Sequence, residues 1–481
     1  MASIQELKRE FTKAIQNNTA AIFAGAGMSC ASGLVDWKGL MRNLASDIRL
    51  DVDKEEDLVS VAQYYYNEKA GRGAINQKLM NCFTNYEKSN KNMEILARLP
   101  IDTYWTTNYD TIIEDELKKV GKTVEVKRDS ENFAVEISNA DVTVFKMHGD
   151  IDYPSRAVLT KDDYESYNQT RQVFSTALQG DLVKKTFLFI GCSMTDPNMK
   201  YILSRLRLLL QDNQRTHYCL LQKILEKNYR KDGKLNELEY EYACNKRSLE
   251  IRDLHRYGID VVEYNEHADV TQILREIQQC HQLTNVYLSG SARVYGEEWK
   301  ENAHTLLKEI TSMCFKNGYK ITTGYGDGVG SFIISTILEK VLDSHDNLDK
   351  YLCLRPFPYD DKDRPDYDTL KYKYRYSMIE PVGISIFLFG NKEINGNICL
   401  ADGVYEEYKI CKKMNKIIIP IGSTGCMAAK ILQEVEEDID NYEYLKPHFD
   451  VLKTEKNVNK LTSTIQQIIA TCYNNVINHP I

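Results

Sequence analysis

The chain has 12 cysteines but no C-x-x-C pair. That absence excludes a zinc ribbon and a thioredoxin-like redox pair, both of which need closely spaced thiols. No metal site and no zinc are expected. Thiols scattered in this way fit a reducing compartment. No apolar run is long enough to span a bilayer, so no membrane association is expected. The opening residues, MASIQELKRE, contain no apolar h-region, so no secretory signal is expected and the chain reads as cytoplasmic. A basic excess is missing too, with 61 Lys and Arg against 69 Asp and Glu and a net charge of -8. Nucleic-acid binding is not expected, because it calls for a basic stripe that meets phosphates.

What is present is an ordinary globular composition, 43% hydrophobic and 27% charged, sufficient for a packed core. At 481 residues the chain is too long for one domain. Ile4, Leu7, Phe11 and Ile15 recur at helical spacing. An apolar run at 20–27 then ends in glycines, as a buried strand feeding a turn does. Residues 40–98 read as helices, and further strands are expected at 102–110, 141–150, 185–193, 216–221 and 258–264. Residues 265–284 are polar and helical and mark the expected domain boundary. Five more strands follow at 285–291, 319–330, 351–358, 383–390 and 416–422. Strands alternating with helices predict an α/β protein. Two Rossmann-like domains are expected, each with a parallel, doubly wound sheet flanked by helices. Such sheets bind ligands at the carboxyl edge.

Polar motifs stand at these strand ends. Gly25-Ala26-Gly27-Met28-Ser29 follows the first strand. Small residues there let the backbone approach a pyrophosphate, and N–H groups at the following helix start can bind it. A ligand-free turn would look the same. Thr107-Asn108-Tyr109-Asp110 ends the second strand, where Asn and Asp either form a turn or hydrogen-bond ribose hydroxyls. Lys146-Met147-His148-Gly149 ends the third. A lone histidine is more often structural, but at a strand end its ring can project into a cleft and exchange a proton near neutral pH. Gly191-Cys192-Ser193-Met194-Thr195-Asp196 ends the fourth, as a nucleotide-facing loop or a helix N-cap at Ser193 or Asp196.

The four motifs in this order resemble the sirtuin family of NAD-consuming enzymes over residues 1–280. The resemblance implies that Gly25, Ala26, Gly27 and Ser29 hold the phosphates of NAD+, with Ala24, Gly191 and Ser193 also in the NAD-binding set. It implies that Asn108 and Asp110 address the nicotinamide ribose, and that His148 is the base. Two departures stand out. The paired cysteines of the sirtuin zinc module are missing, which counts against a protein deacylase or ADP-ribosyltransferase. The cofactor-loop motif G-I-P-D-F-R is replaced by Gly33-Leu34-Val35-Asp36-Trp37-Lys38, which keeps Asp36 as a candidate NAD contact. Nicotinamide in NAD+ is a cationic leaving group, and its departure leaves an oxocarbenium-like ribose. With no acyl-lysine clamp, water is the expected nucleophile, and the expected products are nicotinamide and ADP-ribose. No cofactor is expected beyond NAD+ as substrate.

In the second half, Ser289-Gly290-Ser291 ends one strand, and Gly324-Tyr325-Gly326-Asp327-Gly328-Val329-Gly330-Ser331 ends the next and opens a helix. Four glycines ahead of a helix form a candidate phosphate cradle or a tight turn. Arg375 and Lys392 are candidate phosphate partners, and Glu407 could accept from a base or ribose; each could equally be a surface charge. The run Lys371-Tyr372-Lys373-Tyr374-Arg375-Tyr376 offers rings for stacking, or the polar face of a helix. The charged, Tyr-rich stretch 360–376 reads as a ligand-covering segment or a solvated loop and helix.

Residues 284–481 resemble the SLOG family of nucleotide-sensing domains, on the SGS turn, the GYGDGVGS loop and the SIFLFGNK strand end. The order sirtuin then SLOG is similar to the NAD-consuming effectors of Thoeris anti-phage defence. That likeness implies a signal site built from Ser289, Gly290, Ser291, Gly326, Gly328, Val329, Gly330, Arg375, Lys392 and Glu407. It implies an activating cyclic ADP-ribose isomer made by a TIR-domain protein, a homotetramer, and NAD depletion as the output. The rival to the enzyme is a non-catalytic nucleotide sensor, against which Asn108 and His148 count.

Overall fold

The computed structural model describes residues 1–84, 90–357 and 365–480. By contacts the chain divides into two compact units, Met1–Gln278 and Gln279–Pro480.

The first unit is built on seven strands: β1 (Ala20–Ala24), β2 (Thr103–Thr106), β3 (Val124–Lys127), β4 (Val142–Lys146), β5 (Thr186–Ile190), β6 (His217–Gln222) and β7 (Ile259–Tyr264). Their order across the sheet is β3-β4-β2-β1-β5-β6-β7, and every pairing is parallel. Side chains on a strand alternate between faces. Along β1, Ala20, Ile22 and Ala24 enter one core, while Ala21 and Phe23 enter the other. Both faces are covered, which is why β1 and β5 are apolar throughout. The chain reverses its direction of growth between β1 and β5, and that switch opens a crevice beyond their carboxyl ends.

Helix Ile4–Gln16 starts at Ser3, whose hydroxyl accepts from the Glu6 amide, and buries Leu7, Phe11 and Ile15. The division between the units, after Gln278, falls inside the expected boundary segment 265–284, and the part before it packs into the first core. Helix His267–Gln282 buries Val270, Ile273, Leu274 and Ile277 there, and Glu276 meets Lys8 at 2.6 Å with both side chains buried. Strand β3 is an addition to the expected set. It is four residues long, pairs only with β4 and carries Glu125 and Lys127, so no apolar run announces it.

The second unit holds β8 (Asn285–Ser291), β9 (Lys320–Thr323), β10 (Leu352–Leu354), β11 (Ile384–Phe389), the hairpin β12 (Asn391–Ile394) and β13 (Asn397–Leu400), and β14 (Ile417–Pro420). The main sheet runs β10-β9-β8-β11-β14, all parallel, with its own switch point between β8 and β11. Helices Ala303–Lys316 and Val458–Ile477 pack together in one continuous core. The β12–β13 hairpin is antiparallel and was not expected from the sequence. Pro358, at the end of the expected strand 351–358, and residues 360–364 of the Tyr-rich stretch lie outside the described residues. From Tyr367 that stretch is a helix, Tyr367–Ile379. Among the described residues no helix is long and apolar enough to cross a membrane.

Candidate functional site

The first unit encloses a cavity of about 960 Å³ at the carboxyl edge of its sheet, lined by Gly25, Ala26, Gly27, Ser29, Asp36, Asn108, Asp110, His148, Gly191, Ser193 and Asp196 among others. That volume is at the upper end of what small-molecule sites need. The loops after β1, β2, β4 and β5 contribute the motif residues, and the ends of β6 and β7 add Gln222 and Tyr264.

The Asn108 amide is oriented by its partners. Nδ2 donates to Gly25 O at 3.0 Å and to Ser29 Oγ at 2.9 Å. A carbonyl only accepts, so the nitrogen is fixed on that side. Oδ1 is buried and has no hydrogen-bond partner. A buried acceptor left open is costly, and here it is one that a ribose hydroxyl or a water could satisfy. Ser29 Oγ donates in turn to Asp110 Oδ2 at 2.6 Å, and Asp110 Oδ1 accepts from the Ile112 amide at 3.1 Å. Asn108, Ser29 and Asp110 therefore form one relay of fixed polarity.

His148 is 3% exposed and presents its ring edge-to-face to Tyr164. Its Nε2 lies 3.4 Å from Asp196 Oδ2. Tyr164 donates to the same carboxylate oxygen at 3.4 Å. Burial depresses the imidazole below its ordinary value and the Asp196 charge pulls it part of the way back, while Arg171 adds to the depression. The ring is thus neutral near pH 7 and able to take a proton.

The glycine turn contributes approach rather than hydrogen bonds. Gly25 N–H is spent on Ile190 O at 2.8 Å and Gly27 N–H on Gly191 O at 3.0 Å. Gly191 has φ +67°, and a Cβ there would stand 2.6 Å from the Met28 nitrogen. The two loops are in backbone contact, which no side chain permits.

The second unit has a cavity of about 590 Å³ lined by Ser289, Gly290, Ser291, Gly324, Gly326, Lys371, Tyr372, Arg375, Lys392 and Glu407 among others. Glu407 is buried and accepts from Ser289 Oγ at 2.6 Å. Burial pushes its carboxyl up, and Ser289, Arg375 and Tyr287 oppose that. Arg375 Nε is 3.7 Å from Glu407 Oε1, and its guanidinium lies over the Phe357 ring, 4.7 Å from the centroid. Lys392 pairs with Asp402. Among the described residues no group of His, Cys, Asp or Glu is placed to hold a metal ion.

Two family models match the chain: the SIR2-like domain over residues 102–243 and the Sir2- and TIR-associating SLOG family over residues 269–472. A Bacillus cereus protein named NAD(+) hydrolase ThsA is 41% identical over 96% of this chain and 96% of its own length. The chain belongs to the ThsA family of NAD(+) hydrolases. An Enterococcus faecium ThsA is 39% identical over 96% of this chain and 97% of its own length. A Bacillus subtilis protein named Defense-associated sirtuin 2 is 28% identical over 44% of this chain, a match to less than half of it.

In this ThsA-family chain several expected contact residues are placed elsewhere. Ala24 does not line the first cavity: it is the last residue of β1, fully buried, with its carbonyl taken by Thr106 Oγ1 at 2.8 Å. Gly328, Val329 and Gly330 do not line the second. Val329 is buried in the core, and Gly330 N–H closes the turn onto Gly326 O at 2.8 Å. These three shape the loop that Gly326 presents. Conversely, Tyr164 lines the first cavity and Asp368 the second with no signal in the sequence, while Trp37, Thr107, Lys371 and Tyr372, named there only as members of longer motifs, line them as well. Asp196 stood in the sequence as a capping candidate. It does cap helix Pro197–Leu210, accepting from the Met199 amide at 2.9 Å, and it also faces His148.

Proposed function

We propose that this chain hydrolyses NAD+ at the nicotinamide–ribose bond, with Asn108 and His148 as its reacting groups, and that the reaction serves antiviral defence by depleting NAD. The observation that carries this is the single cavity where the oriented Asn108 amide, the neutral buried His148 ring and the close-packed glycine turn meet. Gly25, Ala26, Gly27 and Gly191 give the pyrophosphate room, and Ser29, Asp36, Asp110 and Ser193 are the polar groups around the dinucleotide. Departure of nicotinamide leaves a ribose cation. Asn108 Oδ1 holds the ribose or the incoming water, and His148 accepts the proton released. The products are nicotinamide and ADP-ribose.

The second cavity is read as the control site. Arg375 and Lys392 supply positive charge for phosphates, Glu407 and Ser289 address a base or ribose, and Gly290, Ser291 and Gly326 allow close approach. Its ligand is a cyclic ADP-ribose isomer from a TIR-domain partner, acting on a cytoplasmic homotetramer. Such a ligand activates only if it binds the active arrangement more tightly. A continuous NAD assay on the purified protein tests this, with and without cyclic ADP-ribose isomers. NAD loss that needs the isomer and no acyl-peptide is expected. NAD that stays intact with every isomer removes the reading.

A further inference from the structure

We propose that Lys146 is a positioning residue that locks the Asn108 loop to the strand carrying His148. The inference rests on the NAD-cleaving reading above.

Lys146 is the last residue of β4, two positions before His148, and its side chain is fully buried. Burying an ammonium is costly and calls for partners. One is Glu114, also buried, with Oε1 3.1 Å from Nζ. Asp150 is more distant at 3.8 Å and is already paired with Arg128. Charge balance does not explain where else the ammonium points. Nζ donates to the backbone carbonyls of Asp110, at 2.5 Å, and Tyr109, at 3.4 Å.

Those carbonyls directly follow Asn108. Tyr109 O is gripped a second time by the Ile151 amide at 3.0 Å, from the segment just beyond His148. From Asp110 the contacts run back to the reacting group: its carboxylate accepts from Ser29 Oγ, and Ser29 Oγ accepts from Asn108 Nδ2. Lys146 therefore fixes the backbone from which the Asn108 amide is oriented, and it does so from the strand that sets His148. A loop that drifted by an ångström would cost turnover while leaving the dinucleotide bound.

The test uses the full-length chain in the activated NAD assay, with kcat and KM read separately and melting curves recorded for each variant. In Glu114→Gln the ammonium keeps both carbonyls, so a lower melting temperature is expected from the broken buried pair, while kcat of the folded protein stays within about threefold of wild type. Lys146→Met combined with Glu114→Gln removes both charges, leaves no unpaired carboxylate and still loses the carbonyl ties. There kcat is expected to fall about 100-fold with KM within about threefold. Lys146→Arg keeps the charge opposite Glu114 but cannot place a compact ammonium between the two carbonyls, and a kcat loss of at least about tenfold is expected. Should the double variant melt below the assay temperature, Lys146→Arg decides alone. Wild-type kcat in either Lys146 variant overturns the inference. So does a kcat in Glu114→Gln as low as in the double variant. A wild-type protein that never consumes NAD removes the NAD reading and this inference with it. An active wild type with active Lys146 variants removes this inference only.

Discussion

His148 Nε2 lies 3.4 Å from Asp196 Oδ2, so the imidazole at the end of β4 faces the carboxylate that caps the helix after β5. The two residues are brought together by the crossing of the chain from one side of β1 to the other. Asp196 is itself held by the Met199 amide and the Tyr164 hydroxyl. Its charge raises the His148 proton affinity that burial lowers.

The pH profile should register this pair. His148 works as a base in its neutral form, so kcat/KM is expected to fall on the acid side, through a pKa below the ordinary imidazole value of about 6.5. Replacing Asp196 by Asn removes the charge that raises that pKa. The acid limb should move to still lower pH. A limb that stays in place or moves upward would show that His148 does not titrate in the reaction.

Asn108→Ala removes the oriented amide and its free oxygen. Turnover is expected to drop by at least about 100-fold, while binding of the cyclic isomer to the second unit is unchanged. Calorimetry with the isomer and an NAD assay on the same sample check both halves. Loss of isomer binding together with turnover would mean that Asn108 acts through the fold.

Arg375→Ala deletes the cation over Phe357 and beside Glu407. The isomer concentration for half-activation should rise by about 10- to 100-fold, the worth of a charge-assisted contact of about 1.5–3 kcal/mol. Fully activated kcat should be recovered at saturation. An unchanged activation curve would take Arg375 off the control site.

Gly326→Ala puts a methyl where Gly290 O stands 2.0 Å away. The loop after β9 must then move off the end of β8. Destabilisation of about 1–3 kcal/mol is expected in urea unfolding of the second unit, together with a weakened response to the isomer. Wild-type stability and response would show that the two loops are not held at this spacing.

Much of the scaffold was legible in the sequence because the two patterns involved are local. Apolar runs followed by glycine or polar clusters mark β1, β2, β4 and β5 and their loops, and the helical spacing of Leu7, Phe11 and Ile15 marks the first helix. Strand β3 was hidden because a four-residue edge strand needs little apolar character. The helix His267–Gln282 looked like a polar link because polar residues such as Thr271, Gln272 and Gln278 share its half-buried flanks with the apolar row Val270, Ile273, Leu274 and Ile277.

The sequence by itself determined two α/β units and the four motifs at strand ends, since strand and helix periods are written residue by residue. Only the tertiary structure decided which of those motif residues share a cavity. It set Asp196 opposite His148, ran Lys146 beneath the Asn108 loop, left Asn108 Oδ1 open, and kept Ala24, Gly328, Val329 and Gly330 out of the two cavity linings. The physical reason is that hydrogen bonds and ion pairs act over a few ångströms. Which residues come that close depends on the strand order at the switch between β1 and β5.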